Sequence, residues 1–271
     1  VAVVIEDDDD IREVVHAVLE ASGLEVYAAG NGVDGVDAVR LHNPDVITLD
    51  LGLPDIDGIE VTRRVREFSD AYIVMLTARA REVDTLQGLA VGADDFVTKP
   101  FRPRELLARV ETLLRRPRGS TLLNGSGGTT TAELPPAGGA LSLNAPTASP
   151  VKASGQAAEP SGLEHNGLYL DVATRTTRVG TEEVQLTRTE FDLLQALMEA
   201  GRVVRSTTGL ARWLHAREYE TGGYVSESEE RAIQVHIANL RRKLGDSAQS
   251  PRWVETVRGV GYRLAAKSSE N

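Results

Sequence analysis

The sequence predicts an α/β domain on a doubly wound parallel sheet, followed by a smaller α+β domain with the plan of a winged helix-turn-helix. Short, β-branched apolar runs alternate with helix-like segments five times within residues 1–116, the pattern of buried parallel strands joined by right-handed crossovers. Four of these runs end in polar residues that suit chemistry: Ile5 leads to Glu6-Asp7, Leu49 to Asp50, Leu76 to Thr77 and Thr98 to Lys99. Beyond residue 162 the chain restarts with short strand-like pieces, three helical stretches and a closing hairpin.

The first domain is expected to have strands at about 2–5, 24–27, 45–49, 72–76 and 95–98, with helices near 10–21, 32–41, 57–67, 82–91 and 103–116. Asp10 with Glu13 fits a capping box for the first helix. Residues 117–162 are rich in Gly, Ser, Thr, Pro and Ala and poor in core formers, which reads as a flexible linker. As a Gly-rich coil it would span about 37 Å, at roughly 5–6 Å × √n.

In the second domain, at 163–271, strand-like pieces stand at Leu168-Tyr169-Leu170 and Arg178-Val179. Thr187 and Glu190 have capping-box spacing ahead of an apolar run from Phe191 to Met198. A second helix fits near 207–215, where Trp213 reads as core. A third fits at about 229–244, with Ile233, Ile237, Leu240 and Leu244 on one stripe. Residues 254–257, a turn at Gly259–Gly261 and residues 262–264 form the hairpin.

Length favours two domains, and no run of about 18 apolar residues predicts a membrane span. Zero cysteines exclude disulfides and thiolate metal sites. With no basic-plus-apolar leader in view, a cytoplasmic location away from membranes is expected. The net charge of −10 lies wholly in residues 1–116, which hold 13 Lys+Arg against 23 Asp+Glu. Residues 163–271 balance 15 against 15, so their cations can still gather on a nucleic-acid-binding face.

Ligand sites in open parallel sheets lie beyond the carboxyl ends of the strands. Carboxylates gathered there repel unless a cation neutralises them. Mg²⁺ suits an all-oxygen set, and the lack of Cys and nearby His disfavours zinc. The set reads as a phosphoryl-transfer site. Asp50 is the nucleophile, and Glu6, Asp7, Asp50 and the Gly52 carbonyl hold Mg²⁺, while Thr77 and Lys99 bind phosphate oxygens. Asp8, Asp9 and Asp10 read as helix-start and solvent charges. Taken singly, Asp50 could be a turn residue, Thr77 a cap and Lys99 a solvated lysine.

Glu6-Asp7, Asp50-Leu51-Gly52-Leu53-Pro54-Asp55-Ile56-Asp57-Gly58, Leu76-Thr77-Ala78-Arg79 and the run from Gly92 to Phe101 together resemble the receiver domains of two-component response regulators, a flavodoxin-like fold. The resemblance implies that a sensor histidine kinase supplies phosphate to Asp50. It also implies a switch pair of Thr77 and Phe96, although Phe96 also suits a core position. Leu186–Leu194, Arg231–Leu244 and Val257–Leu264 resemble the winged-helix effectors of the OmpR/PhoB family.

That family implies a homodimer on phosphorylation through the fourth helix, fifth strand and fifth helix. Asp95 and Arg109 stand where a cross-dimer ion pair is expected, and Glu105 where another is, with Thr85 in place of its basic partner. The family also implies tandem DNA half-sites and contact with RNA polymerase near 205–229. There Arg205-Ser206-Thr207-Thr208-Gly209 replaces the usual Ser-Arg-Glu start, and the segment 217–228 is long.

On the third helix the apolar stripe turns Arg231, Gln234, Val235, Ala238, Asn239 and Arg242 outward. Gln234, Val235 and Asn239 are candidate base readers. Arg231, His236 and Arg241 are candidate phosphate contacts, and Arg258 at the wing tip suits a narrow minor groove. Plainer readings are a solvated cationic helix end for Arg241-Arg242-Lys243, exposed polar positions for Gln234 and Asn239, and a structural His236. Two rival functions are a stand-alone phosphotransfer enzyme or phosphatase and a phosphorylation-independent DNA binder. No further catalytic cluster after residue 116 supports the first. The intact acidic site argues against the second.

Overall fold

The computed structural model describes residues 1–78, 82–115, 162–214 and 225–268, with backbone alone at 82–85 and 115. The expected linker, apart from Gly162, therefore lies outside the described residues. So do the Thr85 side chain and residues 215–224 of the segment expected to meet polymerase.

The first domain runs β1 (Ala2–Ile5), α1 (Asp9–Ala21), β2 (Val26–Ala29), α2 (Gly32–His42), β3 (Val46–Asp50), α3 (Gly58–Arg66), β4 (Tyr72–Thr77), α4 (Glu82–Val91), β5 (Asp95–Thr98) and α5 (Pro103–Arg115). All five strands are parallel, in the order β2-β1-β3-β4-β5. Because side chains alternate along a strand, each central strand feeds two apolar layers. Val3, Ile5, Ile47, Leu49, Ile73 and Met75 pack beneath α2, α3 and α4, while Ala2, Val4, Val46, Val74 and Leu76 pack against α1 and α5. The strand order reverses at β1 and β3, so Glu6 and Asp50 leave the sheet side by side at the switch point.

Two local expectations shift. β2 begins at Val26 because its pairing with β1 starts at Ala2–Val26. The first helix is capped by Asp8, whose carboxylate accepts the Ile11 N–H at 3.1 Å, rather than by an Asp10–Glu13 box. Asp9 and Asp10 then fall in the first turn, where they complement the helix dipole.

The second domain opens with an antiparallel sheet of β6 (Gly162–His165), β7 (Leu168–Asp171), β8 (Thr176–Val179) and β9 (Glu182–Glu183). α6 (Arg188–Ala200), α7 (Thr207–Leu214) and α8 (Glu227–Leu244) follow, then the hairpin of β10 (Val254–Val257) and β11 (Gly261–Leu264). Capping boxes start α6 at Thr187–Glu190 and α8 at Ser226–Glu229. Phe191, Leu194, Leu210, Ile237, Leu240 and Trp253 share one core, with Trp213 packed at its margin. A Cβ at Gly261 would lie 2.0 Å from the Arg205 carbonyl oxygen, so only glycine lets the wing pair with the isolated bridge residue Arg205 through Tyr262. β6 and β9 were not evident in the sequence: β6 is short and one-sided, and β9 is two exposed glutamates.

The two domains touch. α8 lies against α4, and its Ala232 and Val235 pack on the same receiver layer as Phe96 and Leu89. Beside this contact a cleft of about 560 Å³ separates Arg66, Asp70 and Gly92 from Glu190, Arg242 and Lys243.

Candidate functional site

At the carboxyl edge of the sheet, Glu6 is fully buried, Asp50 is buried and Asp7 is exposed. Carboxylate oxygens from the three lie within 4.8 Å of one another. The Lys99 ammonium bridges two of them, 2.7 Å from Glu6 Oε1 and 3.0 Å from Asp50 Oδ1. Its position is fixed by the backbone, since the Lys99 N–H donates to the Thr77 carbonyl at 2.7 Å. Burial pushes the Glu6 carboxyl up from its ordinary range against the pull of the Lys99 hydrogen bond, and the charges of Asp50 and Asp7 add to the rise. Burial alone would lower the Lys99 ammonium, but its hydrogen bonds to Glu6 and Asp50 hold it above its usual value.

One ammonium among three carboxylates leaves the cluster short of positive charge. Glu6 Oε2 is buried with no hydrogen-bond partner among the described residues. An all-oxygen set with an orphaned buried carboxylate oxygen fits a hard divalent cation such as Mg²⁺. Thr77 is buried at the end of β4, and an open hollow of about 360 Å³ lies over Asp50, Gly52, Asp57, Thr77 and Ala78. The structure thus brings Glu6, Asp7, Asp50, Thr77 and Lys99 to one edge. Phe96, on β5, is half-buried against the α2–α3–α4 layer.

Two positions that support this edge carried no separate role in the sequence reading. A Cβ at Gly58 would sit 2.5 Å from the Asp50 carbonyl oxygen and 2.9 Å from Leu51 Cα, both backbone atoms. Asp55 accepts the N–H groups of Gly32 and Val33 at 2.8 Å each, pinning the loop after β3 to the start of α2. Desolvation would raise its carboxyl, but these backbone hydrogen bonds overcome it and bring the pKa to about 2. Both residues lie in the Asp50–Gly58 run, whose sharp turn was their only signal.

The expected outward face of α8 needs correction. Arg231, Gln234, Ala238 and Arg242 are exposed, but Val235 is half-buried and His236 and Asn239 are buried. Asn239 Nδ2 donates to the Leu89 carbonyl at 2.9 Å, and His236 Nε2 lies 3.2 Å from the Asp94 carbonyl oxygen. Arg242 donates to the Ala90 carbonyl at 3.3 Å. These acceptors include the last carbonyls of α4, where the helix dipole is negative. Arg241 instead holds the wing, donating to the Val254 carbonyl at 2.7 Å and Thr256 Oγ1 at 2.8 Å. Arg231 lies 3.6 Å from Glu227, and Arg258 is exposed at the wing tip.

Two of the three residues expected on a dimer face, Asp95 and Arg109, are engaged within the chain. Arg109 pairs with Asp95 at 3.0 Å and lies 3.8 Å from Glu229 at the start of α8, whereas Glu105 is exposed.

Comparison with known proteins agrees with both halves. Residues 2–111 match the response regulator receiver domain, and residues 181–264 match the C-terminal domain of transcriptional regulatory proteins. The chain belongs to the OmpR/PhoB family of two-component response regulators. It is 35% identical over 262 residues to the DNA-binding response regulator MtrA of Mycolicibacterium smegmatis, covering 96% of this chain and 94% of that one. It is 34% identical over 266 residues to the transcriptional regulatory protein CseB of Streptomyces coelicolor, covering 97% and 96%. The fold also matches a solved structure of a RitR mutant at a TM-score of 0.65, with 20% identity and 97% and 98% of the two chains covered. This response regulator is a two-component transcription regulator. No helix among its described residues is long and apolar enough to cross a membrane.

Proposed function

We propose that this response regulator binds DNA through α8 and the wing, and that phosphate on Asp50 controls how readily it does so. A sensor histidine kinase is the donor. An Asp50 carboxylate oxygen forms the O–P bond as the P–N bond of the kinase phosphohistidine breaks, and the released imidazole takes a proton. Lys99 and Thr77 bind the phosphoryl oxygens, and Gly58 lets the chain turn tightly enough to present Asp50. Mg²⁺ held by Glu6, Asp7, Asp50 and the Gly52 carbonyl would neutralise charge on the transferring group. Water later cleaves the acyl phosphate slowly.

The observation that carries the control reading is the docking of α8 on the receiver. Asn239 and His236, candidate donors to bases and phosphates, and the exposed Arg242 beside them each donate to a receiver carbonyl in this structure. Duplex DNA offers phosphate oxygens and base-edge acceptors to the same side chains. Receiver and DNA are therefore alternative partners of α8, and reading DNA requires this contact to open. Opening also frees Arg109 from Glu229, so that Asp95 and Arg109 can serve the homodimer, which places two effectors on tandem half-sites. Gln234, Val235 and Asn239 then read bases, Arg231, His236 and Arg242 hold phosphates, and Arg258 enters the minor groove. Arg241 contributes through the wing it holds. RNA polymerase is met near 205–229.

The test is labelling by acetyl phosphate with Mg²⁺, followed by retention of a pool of genomic duplex fragments. The wild-type chain becomes labelled and retains more duplex after labelling, whereas Asp50→Asn does neither. Persistent labelling of Asp50→Asn sinks the site assignment. Failure to retain duplex in either state sinks the DNA reading.

A further inference from the structure

The closed arrangement has a second attachment, at the edge of the sheet opposite Asp50. Arg188 is the first residue of α6, a position where a cation opposes the helix dipole. Its side chain is nevertheless mostly buried, and the groups around it come from the receiver. The guanidinium clasps both oxygens of Asp70 at 3.1 Å, points a third donor at the Asp45 carbonyl at 3.5 Å and lies 5.1 Å from the centre of the Tyr72 ring. Asp70 and Asp45 stand just before β4 and β3, at the amino edge of the sheet. The neighbouring N–H of Thr189 is directed at Asp94 Oδ1, just before β5, at 3.4 Å. The start of α6 thus rests on three receiver residues that precede three adjacent strands.

We propose that the clasp of Arg188 by Asp70 is a latch that sets how much of the unphosphorylated chain stands open. This rests on the reading of the docked chain as the closed form. The latch lies about one strand length, roughly 16–20 Å, from the phosphoacceptor edge. It touches neither the Thr77–Lys99 cluster nor the contact of α8 with α4. A phosphate on Asp50 can weaken the α8 contact, but the latch acts on the same equilibrium through different atoms. The two effects therefore add.

The chain has no cysteine, so a spin-label pair can be introduced at exposed positions without removing any thiol, as Glu20→Cys with Ser250→Cys. In the full-length unphosphorylated chain, Asp70→Arg or Arg188→Asp adds a longer-distance population. The double variant, with the charges exchanged, restores the single short distance. Asp70→Asn, which keeps the side-chain size, gives an intermediate opening. Asp70 is on the receiver, so Asp70→Arg leaves the effector intact. It raises retention of the duplex pool by the unphosphorylated chain about threefold to tenfold, the scale of one well-formed ion pair.

Unchanged distances in both Asp70→Arg and Arg188→Asp overturn the latch. So does a double variant as open as the singles. A distance shift without duplex retention in any state overturns the DNA-binding reading instead, and leaves the latch standing.

Discussion

The carboxyl and amino edges of the receiver sheet both carry aspartates at strand ends, yet their charges are handled differently. At the carboxyl edge, Glu6, Asp7 and Asp50 lie together, one ammonium bridges Glu6 and Asp50, and a buried oxygen of Glu6 has no partner among the described residues. At the amino edge, Asp94 is held by Arg66 at 2.7 Å and by the Ile73 N–H at 3.0 Å, and Asp70 is clasped by Arg188. A carboxylate left short of charge awaits a cation and a reaction, whereas one already satisfied joins pieces of protein. The difference lies in the partners, because the ionisable group, a carboxylate, is the same.

The largest effect that separates the edges is expected at Asp94. Its side chain is fully buried, and its loss leaves the Arg66 guanidinium without the carboxylate it pairs with. Breaking one side of a buried pair costs about 3–5 kcal/mol. Asp94→Ala should lower the denaturant midpoint accordingly, while any folded fraction still accepts phosphate from acetyl phosphate. A variant of unchanged stability would show that the amino edge is not structural.

Gly58→Ala reverses that pattern. The new Cβ meets two backbone atoms of the Asp50–Leu51 turn, so the turn must move. Overpacking of this kind costs about 1–3 kcal/mol. The labelling rate should fall much further than this loss of stability explains, because the proposed nucleophile, Asp50, is displaced. Equal labelling of the variant and the parent at temperatures where both are folded would remove Gly58 from the site.

These contrasts track what the sequence makes legible. Glu6, Asp50, Thr77 and Lys99 each end an apolar run of their own, so topology alone brings them together. The stripe of Ile233, Ile237, Leu240 and Leu244 is likewise local, and all four residues are buried as expected. The burial of His236 and Asn239 was not legible. Their partners, Asp94 and Leu89, lie 142 and 150 residues away, and helical periodicity reports only the face turned to the core of the same domain. A polar face that docks on another domain has the same pattern as one awaiting DNA or water. The amino-edge aspartates were silent for the same reason, since Arg188 is 118 residues from Asp70. The helix cap at Asp8 is not legible either, because four consecutive aspartates offer competing caps.

Asn239→Ala tests this ambiguity directly, with a smaller effect. Removing its amide loses the hydrogen bond to the Leu89 carbonyl, worth about 1 kcal/mol, and the one its Oδ1 accepts from Arg242 at 3.2 Å. The unphosphorylated chain should open several-fold more often by spin-label distance. The phosphorylated chain should retain less duplex, because a base contact is lost as well. Effects of the same sign in both states would show that Asn239 serves only one of the two partners.

The smallest expected effect is that of pH on the latch. Desolvation would raise the Asp70 carboxyl above its ordinary 3.8, but the hydrogen bond and charge of Arg188 outweigh it and hold the group lower. A carboxylate depressed in the closed form stabilises that form above its open-state pKa and loses the contribution as pH falls through and below that value. The closed fraction should therefore stay level from about pH 5 to pH 8, where Asp70 is charged in both forms, and fall below about pH 4. Added salt should act where pH does not. The screening length drops from about 10 Å at 0.1 M to about 3 Å at 1 M, which weakens the exposed side of the clasp. Spin-label distances at pH 5, 6.5 and 8 check the first expectation, and a salt series at pH 7 checks the second. A closed fraction that changes between pH 5 and 8 in the wild-type chain but not in Asp70→Asn would mean that the clasp is weaker than its geometry implies.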